Sequence, residues 1–404
     1  MNRQKWIEGA KVIYHPEWIR RWRDDPFSVP PIYLEISPAG ACNHRCVFCA
    51  PEMLGYKTRF LDPDIWAERL SEMKELRESD PDGLSVKSMQ YAGEGEPTLH
   101  KHFERMLILT HGAGIDVGIL SNGTGLSERR LPEILPYVNG YLQLSINAGA
   151  RESYAKIHQT ESRDWDLVWR NLANAVKFKK INGGMNGDIG VNLTVLTKWV
   201  ITEDGNLIPP NWPEVEALVA RAKDTGLDYV SIKPYSQHPY SCNTQKLYGD
   251  MSYGSMMDEI VDTGQRLIET YSSPDFEVVF RFSRFKEYEE DDRKYTTCNS
   301  TPTLWGYVQA DGVLISCSGH WTNPEFHLGN VNRQTFKDIW YGEVRRKHLN
   351  FVLNELDISI CRKTCHPDKD NKFLFWFKSL PRSEQDRVLL ELEALPKPKR
   401  ANFI

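Results

Sequence analysis

Apolar and polar positions alternate through PIYLEISPAG (31–40), which predicts a strand running into a loop at Pro38 and Gly40. Residues 64–78 then place apolar side chains at helical spacing, and SVKSMQYAGEGEP (85–97) returns to strand periodicity before a glycine-rich turn. The exchange continues along the chain. It predicts a helix near 101–113, a strand at 115–123, a helix near 127–137, a strand at 140–149 and helices at about 151–158 and 166–180. A strand at 188–197, a helix near 213–225, a strand at 227–236 and a helix near 252–271 follow. Six consecutive strand–helix units predict an α/β fold: a parallel sheet with helices outside, curled into all or part of a barrel. Such folds gather chemistry at the carboxyl ends of their strands. Here those ends carry a cysteine-rich loop, GEGEP, SNG, SINAG, the segment after Asn192, and IKPYSQH. Packing alone does not account for polar and glycine-rich residues at six successive strand ends, so one shared site is expected.

The pattern changes from about residue 274. FEVVFRF reads as a strand, and LWGYVQADGVLISCSG (304–319) as two alternating runs around Asp311-Gly312, a hairpin signal. The expected organisation is an N-terminal extension (1–30), a partial barrel (31–272), a small cysteine-bearing α+β domain (273–380), and an amphipathic helix with a tail (381–404). No solenoid repeat or low-complexity tract is present in the sequence.

Composition narrows the function classes. With 40% hydrophobic, 11% aromatic and 26% charged residues, the chain has the makings of a folded core. Fifty basic residues against fifty-five acidic ones give a net charge of -5, without the basic excess that tracks phosphate backbones, so no nucleic-acid partner is expected. The N-terminal residues lack a signal-peptide pattern and no apolar run reaches membrane-spanning length. A cytoplasmic protein with no membrane partner is the expectation, and oligomeric state is left open.

In a reducing compartment, clustered cysteines point to metal or catalysis rather than disulfides. Cys42, Cys46 and Cys49 stand in AGACNHRCVFCAPE (39–52), Cys298, Cys317, Cys361 and Cys365 lie in the second part, and Cys242 stands apart. Thiolates take soft or borderline metals. Three of them leave one iron of a 4Fe-4S cubane open to a ligand, whereas four fill every corner. Zinc accepts the same donors, with His44 completing the first group and the four later cysteines forming a structural site.

The C-x3-C-x2-C loop after the first strand resembles that of the radical S-adenosylmethionine (SAM) enzymes, over roughly residues 31–272. The resemblance implies a partial (β/α)6 TIM-like barrel in which SAM binds the open iron and is cleaved to a 5'-deoxyadenosyl radical that abstracts a substrate hydrogen. By the same resemblance Phe48 lies near the adenine, and Gly95, Glu96 and Pro97 hold the methionyl amine. Ser121 and Asn122 in SNG, with Ser145, Asn147 and Asn192, sit where ribose and carboxylate contacts fall, although each also suits a strand-end cap. Gly312-x4-Cys317 and LGNVNRQTFKDIWYG (328–342) resemble the SPASM extension, which uses seven cysteines for two clusters. The four cysteines here imply the shortened twitch variant with one auxiliary 4Fe-4S cluster, an electron conduit or acceptor. His320, His327 and His366 stand near those cysteines as possible substitute ligands.

Cys242 follows the last barrel strand, in IKPYSQHPYSCN. It is either a small buried hydrophobe or a hydrogen donor to a substrate radical, as in radical SAM epimerases. Lys233, Tyr235, Gln237 and His238 on the same segment are candidates for contacting the substrate or the adenine. Only 41 residues precede Cys42, which disfavours a built-in leader-peptide domain. The expected substrate is therefore a small polar molecule, a sugar, cyclitol or nucleotide-linked metabolite, undergoing oxidation or epimerisation with a flavodoxin- or ferredoxin-type electron donor. The alternatives are a peptide maturase working with a separate leader-binding partner, and a zinc-stapled scaffold.

Overall fold

The computed structural model describes residues 9–290 and 293–404. Its strands are β1 (Tyr33–Ile36), β2 (Ser88–Tyr91), β3 (Asp116–Ser121), β4 (Tyr141–Ser145), β5 (Asp188–Val195), β6 (Val200–Ile201), β7 (Leu207–Ile208), β8 (Tyr229–Pro234), β9 (Glu277–Phe280), β10 (Trp305–Val308), β11 (Val313–Ile315) and β12 (His327–Asn330). Ten of them form one sheet in the order β12-β11-β10-β1-β2-β3-β4-β5-β8-β9. From β10 through β9 every pairing is parallel, and β11 and β12 add antiparallel. The predicted six strands are thus flanked by β9 beyond β8 and by β10 beside β1. The sheet continues past residue 272 on both sides, and no ladder joins β9 to β10 among the described residues.

Helices Pro63–Ser79, Phe103–Gly112, Arg151–His158, Arg163–Asn182, Val215–Thr225 and Met257–Tyr271 occupy the crossovers. The first shows why it begins where it does. Asp62 caps it, accepting from the Asp64 and Ile65 amides, and Pro63 supplies a helical φ where no N–H is needed. The helix expected near 127–137 is reduced to Leu131–Ile134 and a 3-10 turn, Leu135–Tyr137. Pro136 has no N–H to continue it and its ring crowds the preceding turn. A hairpin of β6 and β7 and a short helix, Cys242–Tyr248, are additions that periodicity did not reveal.

Along the central strands one face is apolar, and the opposite positions of β1, β2, β4, β5 and β8 carry polar side chains, while β3 places Leu120 there. Leu34 and Ile36, Met89 and Tyr91, Val117 and Ile119, Leu142 and Leu144, Val191 and Leu193, and Val230 and Ile232 join one buried core. Alternate positions therefore face the lumen: Glu35, Gln90, Gln143, Asn192 and Lys233. A parallel sheet buried in oil on both faces would not read this way.

The extension and the tail meet at the amino ends of the strands. Val12, Trp18, Trp22, Leu389, Phe403 and Ile404 cluster with Tyr33 and Trp305. The Phe403 ring occupies the space left by Gly118 and Gly140, where an added Cβ would lie 2.9 Å and 2.3 Å from it. Asn402 donates to Asp116 (2.6 Å) and buried Arg400 pairs with Asp188. Among the described residues, no helix is long and apolar enough to cross a membrane.

Candidate active site

The loop after β1 is fixed from two directions. The Arg45 and Val47 amides donate to the His158 and Ile157 carbonyls (3.1 and 3.0 Å), docking the loop on the end of helix Arg151–His158. From the other side Glu96 N donates to Ala41 O at 2.8 Å. A Cβ on Gly95 would sit 2.0 Å from that same carbonyl oxygen, so only glycine permits the approach. This arrangement brings Cys42, Cys46 and Cys49 together as free, half-buried thiols. Burial pushes all three thiols up, Cys49 to about 12, and each of Cys46 and Cys49 is raised further by its cysteine neighbours. Three thiolates here are costly unless a metal neutralises them, which is the behaviour of a thiolate donor set for a metal.

Glu96 is the hub of the adjoining turn. Its Oε1 accepts from Thr98 N (3.1 Å), Thr98 Oγ1 (2.6 Å) and Ser121 Oγ (2.7 Å), and its Oε2 from Asn122 N (2.8 Å). Oε2 therefore keeps a free lone pair, which suits an ammonium group. Asn122 Nδ2 donates to Asn43 Oδ1 at 2.8 Å, so Ser121 and Asn122 tie the Glu96 turn to the cysteine loop. Asn147 adopts a positive φ of 54° and its Oδ1 accepts from Thr194 N at 2.8 Å. Asn147 Nδ2 and Asn192 Oδ1 are buried with no partner, a donor and an acceptor matched to hydroxyls of a ligand. Ser145 is half-buried at the end of β4. Phe48 packs edge-on against His158 at 5.9 Å.

Several contacts escaped the sequence reading. His158 Nδ1 lies 3.1 Å from Cys46 Sγ while its Nε2 donates to Ile146 O at 2.8 Å. His44, Cys46 and His158 place possible ligand atoms within 4.8 Å of one another, a group that differs from the three-cysteine zinc alternative in having a second histidine and a single cysteine. Glu94, the first glutamate of GEGEP, binds Arg59 (2.7 Å) and accepts from Ala310 N (3.2 Å), and Arg59 reaches Asp311 (2.6 Å). The Asp311-Gly312 turn is thereby coupled to the site. Only its turn chemistry was visible in sequence.

The later cysteines also converge. Cys298, Cys317 and Cys365 are pushed up, the first two to about 11 and 12, by burial first and then by neighbouring cysteines (Cys361 in the case of Cys298), and Cys361 is raised by burial. Arg284, just after β9, donates to the Cys365 and His366 carbonyls (2.8 and 3.3 Å), while the His366 ring stacks on Trp305 of β10 at 5.3 Å. The cysteine loops thus fill the open seam between β9 and β10. The three nearby histidines are spoken for: His320 contacts Tyr240 (3.0 Å), His327 the Trp321 carbonyl (2.9 Å) and His366 the Ile404 carbonyl (2.7 Å).

A profile of the radical SAM superfamily matches residues 36–196, and one of the SPASM iron-sulfur cluster-binding domain matches residues 298–366. The tungsten-containing aldehyde ferredoxin oxidoreductase cofactor-modifying protein of Pyrococcus furiosus is 30% identical over 326 residues, 77% of this chain and 81% of that protein. The chain belongs to the radical SAM superfamily. The molybdenum cofactor biosynthesis protein moc-5 of Caenorhabditis elegans is 26% identical over 336 residues, 81% of this chain, and the chain spans about half (50%) of its length. The structure of Streptococcus suis SuiB bound to SAM superposes with a TM-score of 0.60 at 15% identity, covering 87% of this chain and 74% of that one, a likeness of fold.

A radical SAM enzyme with this extension employs SAM, a 4Fe-4S cluster on cysteines and an auxiliary cluster. The donor sets fit these groups: three convergent thiols beside a glutamate with a spare lone pair, and four convergent thiols at the seam. The remaining candidates fall elsewhere. Tyr235 is buried with its hydroxyl on Gln237 (2.7 Å), and His238 bonds the Ser318 carbonyl (2.9 Å). Cys242 is exposed and lines a pocket of about 570 Å³ with Arg45 and Val47 of the cysteine loop, Glu52 and Lys246.

Proposed function

We propose that the chain acts on a small polar molecule held in the barrel lumen, removing one hydrogen atom and leaving either a dehydrogenated or an epimerised product. The observation that carries this reading is the polar inner face of the sheet, where Glu35, Gln90, Gln143 and Lys233 alternate with core residues. In this reading Cys42, Cys46 and Cys49 hold the SAM cluster, which when loaded supplies the radical chemistry. Gly95 keeps the turn close to the cysteine loop, Glu96 receives the methionyl amine at Oε2, and Pro97 starts the 3-10 turn that orients Thr98 toward it. Asn147 and Asn192 offer their unfilled donor and acceptor to ribose, and Phe48 flanks the adenine. Cys298, Cys317, Cys361 and Cys365 hold the auxiliary cluster where it borders the lumen, suited to accept an electron. The reductant is a flavodoxin or ferredoxin.

Deuterated water separates the outcomes. A thiol donor leaves one solvent deuteron on product carbon, and oxidation leaves none. Retention of full epimerisation in Cys242→Ala would exclude that thiol. The fold shared with SuiB, also solved with its precursor peptide, keeps a peptide substrate as the rival reading. Release of 5'-deoxyadenosine on addition of small phosphorylated or hydroxylated compounds, and not of peptides, decides between them.

A further inference from the structure

One arginine joins the cysteine loop, the GEGEP turn and the hairpin that leads into Cys317. Arg59 O accepts from Gly40 N at 2.9 Å, and a Cβ on Gly40 would lie 2.8 Å from Arg59 Cγ, so the arginine lies directly against the cysteine loop. Its Nε and Nη2 both donate to Glu94 Oε2, at 3.0 and 2.7 Å. Its Nη1 reaches Asp311 Oδ2 at 2.6 Å, in the hairpin turn. Glu94 is the buried centre of the contact, its side chain only 1% exposed against 39% for Asp311. With Oε2 pinned by the guanidinium, Oε1 is turned to the Ala310 amide, which donates to it at 3.2 Å. On the hairpin side the Asn330 and Asn332 side chains hold the Asp311 carbonyl (3.1 and 2.9 Å).

Attachment of the hairpin does not need this contact. β10 already pairs with β1 along the sheet, and helix Pro63–Ser79 fastens the segment after β12, where Arg69 donates to Gln334 O (3.0 Å) and Glu72 accepts from Phe336 N (2.7 Å). What the arginine adds is a direct link to the turn that carries Glu96. Glu94 and Glu96 flank Gly95, whose backbone abuts Ala41, so the turn and the cysteine loop move as one body. We propose that Glu94 and Arg59 are a positioning pair that couples the SAM site to the auxiliary-cluster hairpin, so that filling the free lone pair of Glu96 stiffens the hairpin leading into Cys317. This rests on the assignment of the two cysteine sets made above, and adds communication between them.

The test follows hydrogen exchange at the Ala310 amide, read anaerobically by mass spectrometry in holoenzyme carrying both clusters, with and without SAM. In the wild type SAM slows this amide by about fivefold or more. Arg59→Met strands a buried carboxylate, so it loses the SAM response and also lowers the denaturation midpoint. Adding Glu94→Gln removes the stranded charge and keeps an acceptor for Ala310. In that double variant the midpoint recovers, whereas the unpinned side chain leaves the SAM response absent. A merely structural pair would make the midpoint and the response move together. That result, a SAM-insensitive Ala310 amide in the wild type, or a full response in Arg59→Met would overturn the proposal. Failure of the ligand assignments shows separately, as fewer than about eight irons per wild-type chain, and would overturn the proposal with them.

Discussion

Replacing Gly95 with alanine adds one methyl group where two backbones touch. The new Cβ would lie 2.0 Å from Ala41 O, 2.6 Å from Ala41 C and 2.7 Å from Gly40 C, where ordinary contact begins at 3.4 Å. No flexible side chain is there to yield, so the Glu96 turn and the cysteine loop must part by roughly 1 Å or more. That movement stretches the 2.8 Å bond from Glu96 N to Ala41 O beyond useful range. Overpacking costs about 1–3 kcal/mol and the lost bond about 1 kcal/mol, together about 2–4 kcal/mol. If half of this is relieved by opening the loop, SAM affinity falls by about five- to thirtyfold. SAM titration of the reduced cluster, followed by its EPR signal, measures the affinity, and urea denaturation of the reconstituted protein measures the stability. Gly112→Ala is the control, because a Cβ there meets nothing within 4 Å and the site is helical. A Gly95→Ala protein with wild-type SAM affinity and an unchanged denaturation midpoint would refute the close-approach reasoning.

Three further outcomes are expected. Phe403→Ala leaves a cavity between Gly118, Gly140 and Tyr141 and destabilises by about 3–5 kcal/mol, measured by denaturation midpoint; a change below about 1 kcal/mol would mean that the tail is not seated in the barrel. Glu35, raised to about 7 by burial, binds a proton in the folded protein that the unfolded chain releases near 4.5, so its contribution to stability falls as pH rises from about 4.5 to 7. The stability of Glu35→Gln relative to wild type should therefore climb by about 3 kcal/mol across that window, and a flat difference would show that the carboxyl is not shielded. Cys365→Ser should lower iron from about eight to about four per chain while leaving the SAM-cluster signal, and full iron retention would remove Cys365 from the ligand set.

The strand and helix periods and the cysteine spacing were legible because each depends on residues a few positions apart. C-x3-C-x2-C loads three thiols onto one loop whatever the rest of the chain does, and GEGEP encodes its own turn. Pro136 is legible too, and it limits the helix expected near 127–137 to Leu131–Ile134 and a 3-10 turn. The strand-end position of Tyr235 makes it a candidate for the site, and only the tertiary structure shows its hydroxyl donating to Gln237 two residues away. Strand-end location fixes which end of the barrel a residue occupies, not which way its side chain turns.

Sequence by itself determined the α/β order, the two cysteine sets and the turn beside the first of them. Tertiary structure alone decided what surrounds them: His158 against Cys46 across 112 positions, Glu94 joined through Arg59 to Asp311, Phe403 filling the floor, and Lys233 facing Glu35. The physical reason is range. Periodicity and turn chemistry are settled by local sterics and backbone hydrogen bonds, whereas the contacts between distant side chains depend on which strands and loops the fold brings to face one another.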